Sequence, residues 1–270
     1  MENKTIAEIM SEMARNPPED DWVQVPSRKS ARARAVPDPM DAKAILELPT
    51  IRPSSTIRPA SKEAIAGQHF YTLRAYKESR ECRILRALIN VFKAELEGAG
   101  SSEDPITKAI CLGIGPFDPD NGSWIIKDKA HMQFAAFTVI VEELQTLCKN
   151  KIEVILQEPA FNATDIDFVT SLGHDVVESP IAFEAVDSKT FVFGIHLYRD
   201  IYAQVFQNRV YPALFVGTGW DIWCDVSYRW TEEEKDRLAF LEEMETTHKK
   251  FPFPESRGNN IFFGTSIFWK

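Results

Sequence analysis

The chain has 270 residues, 44% of them hydrophobic, and a formal net charge of −9. That is enough apolar material for one large domain or two small ones, and no stretch approaches the roughly 18 uncharged apolar residues of a membrane span. Residues 1–60 balance nine Lys or Arg against nine Asp or Glu, so the excess negative charge falls on residues 61–270 and argues against nucleic acid as a partner.

Taken in chain order, residues 1–60 are rich in Pro, Ser and isolated charges and lack a sustained apolar period, which predicts a flexible arm. Two patches within it read as segments that order on a protein partner: Ile6, Ile9, Met10 and Met13 at helical spacing, and the short strand Asp21 to Val25. The apolar stretch near the N-terminus contains charges, unlike a signal peptide. Together with Cys82, Cys111, Cys148 and Cys224, which form no CxxC pair and read as buried thiols, this predicts a cytoplasmic protein. The basic cluster Arg28 to Arg34 reads first as a solvated flexible tail and otherwise as a phosphate-contacting or nuclear-import arm, which would add the nucleus as a second compartment.

A folded domain is expected over 61–270. Ser61 caps a helix whose apolar positions, from Leu73 to Leu96, continue to Gly98. Strands follow at 109–114, 152–157, 174–178, 189–195 and 211–217, interleaved with helices at about 129–149, from Thr164-Asp165, and at 198–209. The strands are runs of Val, Ile, Leu and Phe without polar alternation, as expected for a parallel sheet buried on both faces. The class is therefore α/β, a three-layer Rossmann-like fold with a mainly parallel sheet and helices on both faces. Thr231 caps a further helix to about 249, and IFFGTSIFWK closes the chain as an edge strand.

Ligands of such sheets sit beyond the carboxyl ends of the strands. Four ends carry suitable residues: Gly113 and Gly115, Glu158, His196, and Gly217 with Thr218. Gly113-Ile-Gly115 is not a dinucleotide fingerprint, because the third glycine is missing and Pro116 and Pro119 precede a helix that starts only near Asp128. His196 reads as an acid or base oriented by Glu158 or Asp200, or as a histidine satisfied by backbone at a strand end. Glu158 reads as a substrate anchor and Phe161 as part of the same rim, or as a strand stop and a helix staple. The five histidines show no metal-ligand spacing, and no nucleophile elbow or Walker loop is present. No cofactor is specified.

LGIGPF, Gln133 in a long helix, EPAFNATD with Leu172-Gly173, a strand ending at His196 and another ending at Gly217 together resemble the Sensitivity to Red Light Reduced family, the SRR-like domain. Asp21 to Val25 ahead of Arg28-Lys29 is similar to a motif preceding that domain, and FFGTSIFW to its closing segment in fungal members. Glu158-Pro159, Ile195-His196-Leu197 and Gly217-Thr218-Gly219-Trp220 stand where the family usually has Asp-Pro, Pro-His-Cys and Gly-Asn-Ser-Phe, which implies a divergent member. The resemblance implies a regulatory role: members act in light signalling and circadian timing, microtubule stability, and haem biosynthesis. Its rivals are a transferase of specialised metabolism, with His196 and Glu158 catalytic, and a scaffold that binds protein through residues 1–60.

Overall fold

The computed structural model describes residues 59–98, 105–207, 209–227, 231–255 and 260–270, together with Glu8 and Ser11, both helical. The rest of the expected N-terminal arm, with its strand patch and basic cluster, lies outside the described residues, as does the Cys224 side chain. The order is α1 (Lys62–Glu78), α2 (Arg80–Gly98), β1 (Lys108–Leu112), α3 (Trp124–Gln145), β2 (Glu153–Gln157), α4 (Ala163–Ser171), β3 (Asp175–Val176) and α5 (Ile181–Glu184). It continues through β4 (Thr190–Gly194), α6 (Arg199–Val205), β5 (Leu214–Thr218), α7 (Trp220–Ser227), α8 (Glu232–Thr247), β6 (Lys249–Pro252), a 3-10 turn at Asn260–Phe262, and β7 (Thr265–Trp269).

The seven strands form one sheet in the order β3-β2-β1-β4-β5-β7-β6. β1 to β5 are mutually parallel, whereas β7 runs antiparallel to both β5 and β6. Alternate strand residues point to opposite faces. Ala109, Cys111, Phe191, Phe193, Leu214, Val216 and Trp269 pack beneath α1 to α4, while Ile110, Leu112, Val192, Phe215 and Phe268 pack beneath α5, α6 and α8. The three-layer α/β architecture with a mostly parallel sheet is thus the one the apolar runs predicted.

Several expected boundaries move, each for a local reason. The single helix after Ser61 is two, because Ser79 adopts an extended conformation (φ −71°, ψ 160°). Its hydroxyl donates to the Tyr76 carbonyl (2.7 Å) and accepts from the Cys82 amide (3.0 Å), ending one helix and capping the next. α3 begins at Trp124 rather than near 128; Ser123 caps it, and its first turn exposes Trp124, Ile125 and Ile126, so the core-facing period starts a turn late. α4 is capped by Asn162 in a reciprocal box with Asp165. The helix expected to reach 249 stops at Thr247 and gives way to β6, which is the edge strand; the closing strand β7 is interior, between β5 and β6. The short helices α5 and α7 were not expected.

Cys82 and Cys111 are buried thiols, and Cys148 is half-buried with its Sγ 3.1 Å from the Ile106 carbonyl. Between α1, α3 and α4 lies an aromatic cluster built on Phe117, Phe134 and Phe168. Two buried histidines join it: the rings of His69 and His131 stack 6.1 Å apart, and His69 lies 4.8 Å from Phe134. His131 has neither ring nitrogen hydrogen-bonded. Burial pushes His69 down to about 4, helped by the nearby His174 and Lys77, and His131 down to about 3, helped by His69 and Lys127.

Candidate functional site

The chain runs outward from β1 to β2 and β3, then crosses back to β4 on the other side of β1. The carboxyl ends of β1 and β4 therefore flank the point where strand order reverses, where ligands of this class of sheet bind. In-register residues across the upper edge are Gln157, Leu112, Gly194, Gly217 and Ser266. Gly113, Glu158, His196 and Thr218 follow this row and share one end of the sheet.

Gly113 (φ 64°) and Gly115 (φ 83°) are left-handed, where a β-carbon is strained. The Gly113 amide donates to the Gln157 carbonyl (3.1 Å), prolonging the β1–β2 ladder by one bond. The Gly115 amide donates to Glu158 Oε2 (2.8 Å), and Glu158 Oε1 accepts from the Ala160 amide (2.8 Å). Both carboxylate oxygens thus brace the glycine loop and the start of the next loop. The donor that a ligand anion would use is taken by the chain's own carboxylate. Glu158→Ala should leave both amides without this partner and cost about 1–3 kcal/mol, measured by denaturant unfolding, whereas an unchanged midpoint would show that the brace is idle.

The switch-point crevice also holds a side chain. A methyl group at Gly113 would overlap Leu197, and one at Gly194 would lie 2.6 Å from Leu197 Cδ1. Leu197 therefore rests directly on the two glycine backbones. His196 sets this up: it is left-handed (φ 56°), a conformation uncommon outside glycine, and its Nε2 donates to the Phe263 carbonyl (2.7 Å). Neither Glu158 nor Asp200 orients the imidazole. Asp200 faces Arg237 (3.8 Å), and the imidazole draws the Glu255 carboxyl down against the burial that pushes it up.

Thr218 is buried and bound into a hub around Tyr202. The Tyr202 hydroxyl donates to the Gly194 carbonyl (2.6 Å), accepts from the Thr218 amide (3.0 Å) and lies 3.1 Å from Thr218 Oγ1. This ties β4 to β5 at the row where the site begins. Tyr202→Phe should strand two buried backbone groups at a cost of about 2–3 kcal/mol, read as a lowered unfolding midpoint. Phe161 points elsewhere, stacking on Phe117 (5.4 Å) in the aromatic cluster. Among the described residues, no group of three or more His, Cys, Asp or Glu is arranged to hold a metal, and no helix is long and apolar enough to cross a membrane.

A protein-family model described as the SRR1 domain matches residues 86–269, more than half of the chain. The chain belongs to the SRR1 domain family. No curated protein and no solved structure gives a significant match. Within this SRR1 domain the matched segment includes every strand among the described residues, so the glycine loop, Glu158, His196 and the Gly217 turn all belong to it.

Sequence reading missed three contributors to this end of the SRR1 domain. Leu197 and Tyr202 follow His196 too closely to be read as anything but helix lead-in, although the spacing of Tyr202 and Val205 does signal a buried helix face. Phe263 enters through its carbonyl, which no sequence pattern reports. Around these sit exposed apolar side chains: Trp124, Ile125 and Ile126 on α3, Tyr198 after β4, Ile222 on α7 and Phe263 before β7. Ile126 borders Gly115, and Ile222 borders Gly264 beside Phe263.

Proposed function

We propose that this SRR1 domain protein is regulatory and works by recognising a small ligand with an apolar, ring-bearing body at the carboxyl ends of β1, β4 and β5. The observation that carries this reading is the contrast between its polar and apolar groups. Glu158 and His196 are already bonded to backbone and Thr218 to the Tyr202 hydroxyl, while exposed apolar side chains adjoin them: Tyr198, 85% exposed, two residues after His196; Phe263, 62% exposed, whose carbonyl binds His196; and Trp124, 74% exposed, two residues before the Ile126 that borders Gly115. Exposed apolar side chains gathered at one place mark a binding surface, and polar groups held by backbone shape a surface better than they move protons. Gly115, where an added β-carbon would meet nothing nearer than Ile126 at 3.8 Å, supplies close approach, while Gly113 and Gly217, covered by Leu197 and Phe215, shape the floor and Phe161 supports the loop through Phe117. The reading places the protein in the cytoplasm or nucleus, with residues 61–270 as the binding domain and 1–60 as an arm for a protein partner.

A transferase remains the second reading, supported by the left-handed backbone at an exposed His196. His196→Asn separates the two, because Asn tolerates this conformation but carries no imidazole. Ligand released from the natively purified protein is identified by mass spectrometry and its affinity measured by calorimetry. Retention of that ligand by His196→Asn, with loss of about tenfold in affinity for Tyr198→Ser, is the expected result. No ligand in the wild type, or equal retention by Tyr198→Ser and Trp124→Ser, overturns the binding reading. Turnover abolished in His196→Asn with ligand still bound favours the transferase.

A further inference from the structure

The break at Ser79 has a spatial consequence. By turning the chain between α1 and α2, it leaves a cavity of about 150 Å³ bounded by the α1–α2 junction, α3 and the segment leading into β7. Its walls include the Ala75 methyl, the Met132 thioether and the Phe262 ring, and its polar edge carries two carboxylates, Glu81 and Glu255. No basic side chain is among the described lining residues. Tyr76, 4% exposed, forms part of the same wall, and its hydroxyl has no hydrogen-bond partner.

We propose that this cavity binds a small organic cation, an ammonium group on a body of about one ring. A pocket of this volume accommodates a single benzene-sized ring. An anion meets two carboxylates of its own sign, and a neutral hydrocarbon leaves them uncompensated. An ammonium carries the charge complementary to this acidic edge, and its apolar body meets the Ala75, Met132 and Phe262 lining. Burial already pushes the Glu255 carboxyl up, so a cation beside it restores the charged form. This inference stands independently of the ligand proposed at the carboxyl-end site.

The test uses benzylamine as the probe, with benzyl alcohol and benzoate as neutral and anionic counterparts, on the full chain by NMR with labelled methionine methyls. Benzylamine is expected to shift Met132, which lines the cavity, with a Kd on the order of 1 mM, and benzoate to leave it unshifted. Glu255→Gln should weaken benzylamine about fivefold, as one partly exposed carboxylate warrants. Ala75→Phe, on an exposed helix position, should fill the cavity and abolish binding while leaving the unfolding midpoint in place. Equal shifts from benzylamine and benzoate, or benzylamine binding that survives Ala75→Phe, would overturn the proposal.

Discussion

Lowering the pH from 7.5 to 4.5 is expected to remove on the order of 4 kcal/mol from the stability of the fold, through His69 and His131 alone. Both imidazoles are buried among Phe117, Phe134 and Phe168, and burial holds them neutral with pKa values of about 4 and 3. The unfolded chain titrates them near 6.5. Below that pH the unfolded state binds protons that the folded state refuses. Their contribution is complete above about 6.5 and drains away as the pH falls towards the folded values. His174, with its pKa also lowered by burial, adds in the same direction. Against a typical total of about 5–15 kcal/mol, the loss is enough to unfold a marginal domain. Guanidinium unfolding at pH 7.5 and 4.5 measures it. His131→Phe, which keeps the aromatic packing and removes one titrating group, should roughly halve the difference between the two pH values, while a difference below about 1 kcal/mol in the wild type would show that the histidines reach solvent in the folded state.

Gly217→Ala should destabilise by about 3 kcal/mol, near the top of the range for overpacking in a closed core. The backbone at Gly217 does not need glycine for its dihedral angles; it is glycine because of what lies above it. An added methyl would overlap the Phe215 ring edge and sit 2.9 Å from the Gly194 carbonyl oxygen. Phe215 is fully buried and packs on Tyr202 and Phe268, so its ring has little room to move. The carbonyl is fixed by the Tyr202 hydroxyl and by the pairing of Gly194 with Gly217. The expected reading is a thermal midpoint lower by roughly 10 °C, given about 2–4 °C per kcal/mol for a chain of this size. Gly217→Ala with Phe215→Leu should recover only part of the loss, because the carbonyl contact remains. A midpoint within about 2 °C of wild type for Gly217→Ala would mean that β4 and β5 can separate freely at this row.

The sheet was legible because parallel strands buried on both faces cannot alternate. LFVG at Leu214 and TFVFG at Thr190 read as strands from composition alone, and the carboxyl-end position of the candidate site followed from them. Boundaries failed where a local side chain overruled the apolar period. A serine can end one helix and start another, as Ser79 does, and nothing in its neighbours' hydropathy announces it. The first turn of α3 is apolar yet exposed, so a rule that sends apolar residues inward begins that helix too late. The antiparallel end of the sheet was hidden because β7, TSIFW, has no alternation of polar and apolar residues to tell an edge position from a central one.

The site was legible as a location and less so as chemistry. Glu158 was conspicuous as an acid at a strand end, but the sequence could not show that two amides already occupy its carboxylate. Leu197 carried no signal, since an apolar residue beside a histidine looks like helix lead-in; only the left-handed turn at His196 aims it onto Gly113 and Gly194. The pairing of His69 with His131 spans two helices far apart in sequence, so spacing rules for ligands or switches pass over it.

The position of β7 bears on how the protein is made. β5 lies in the middle of the sheet only because residues 265–269 pair along its far side, and β6 reaches the sheet only through them. During synthesis, Leu214–Thr218 is therefore an open strand edge, apolar and low in charge, until that late segment has emerged. A nascent chain paused or truncated before residue 265 would present this edge to its neighbours on the polysome. Chaperone dependence and losses to aggregation should accordingly concentrate in the interval between the emergence of residue 218 and that of residues 265–269 rather than at the parallel core formed earlier.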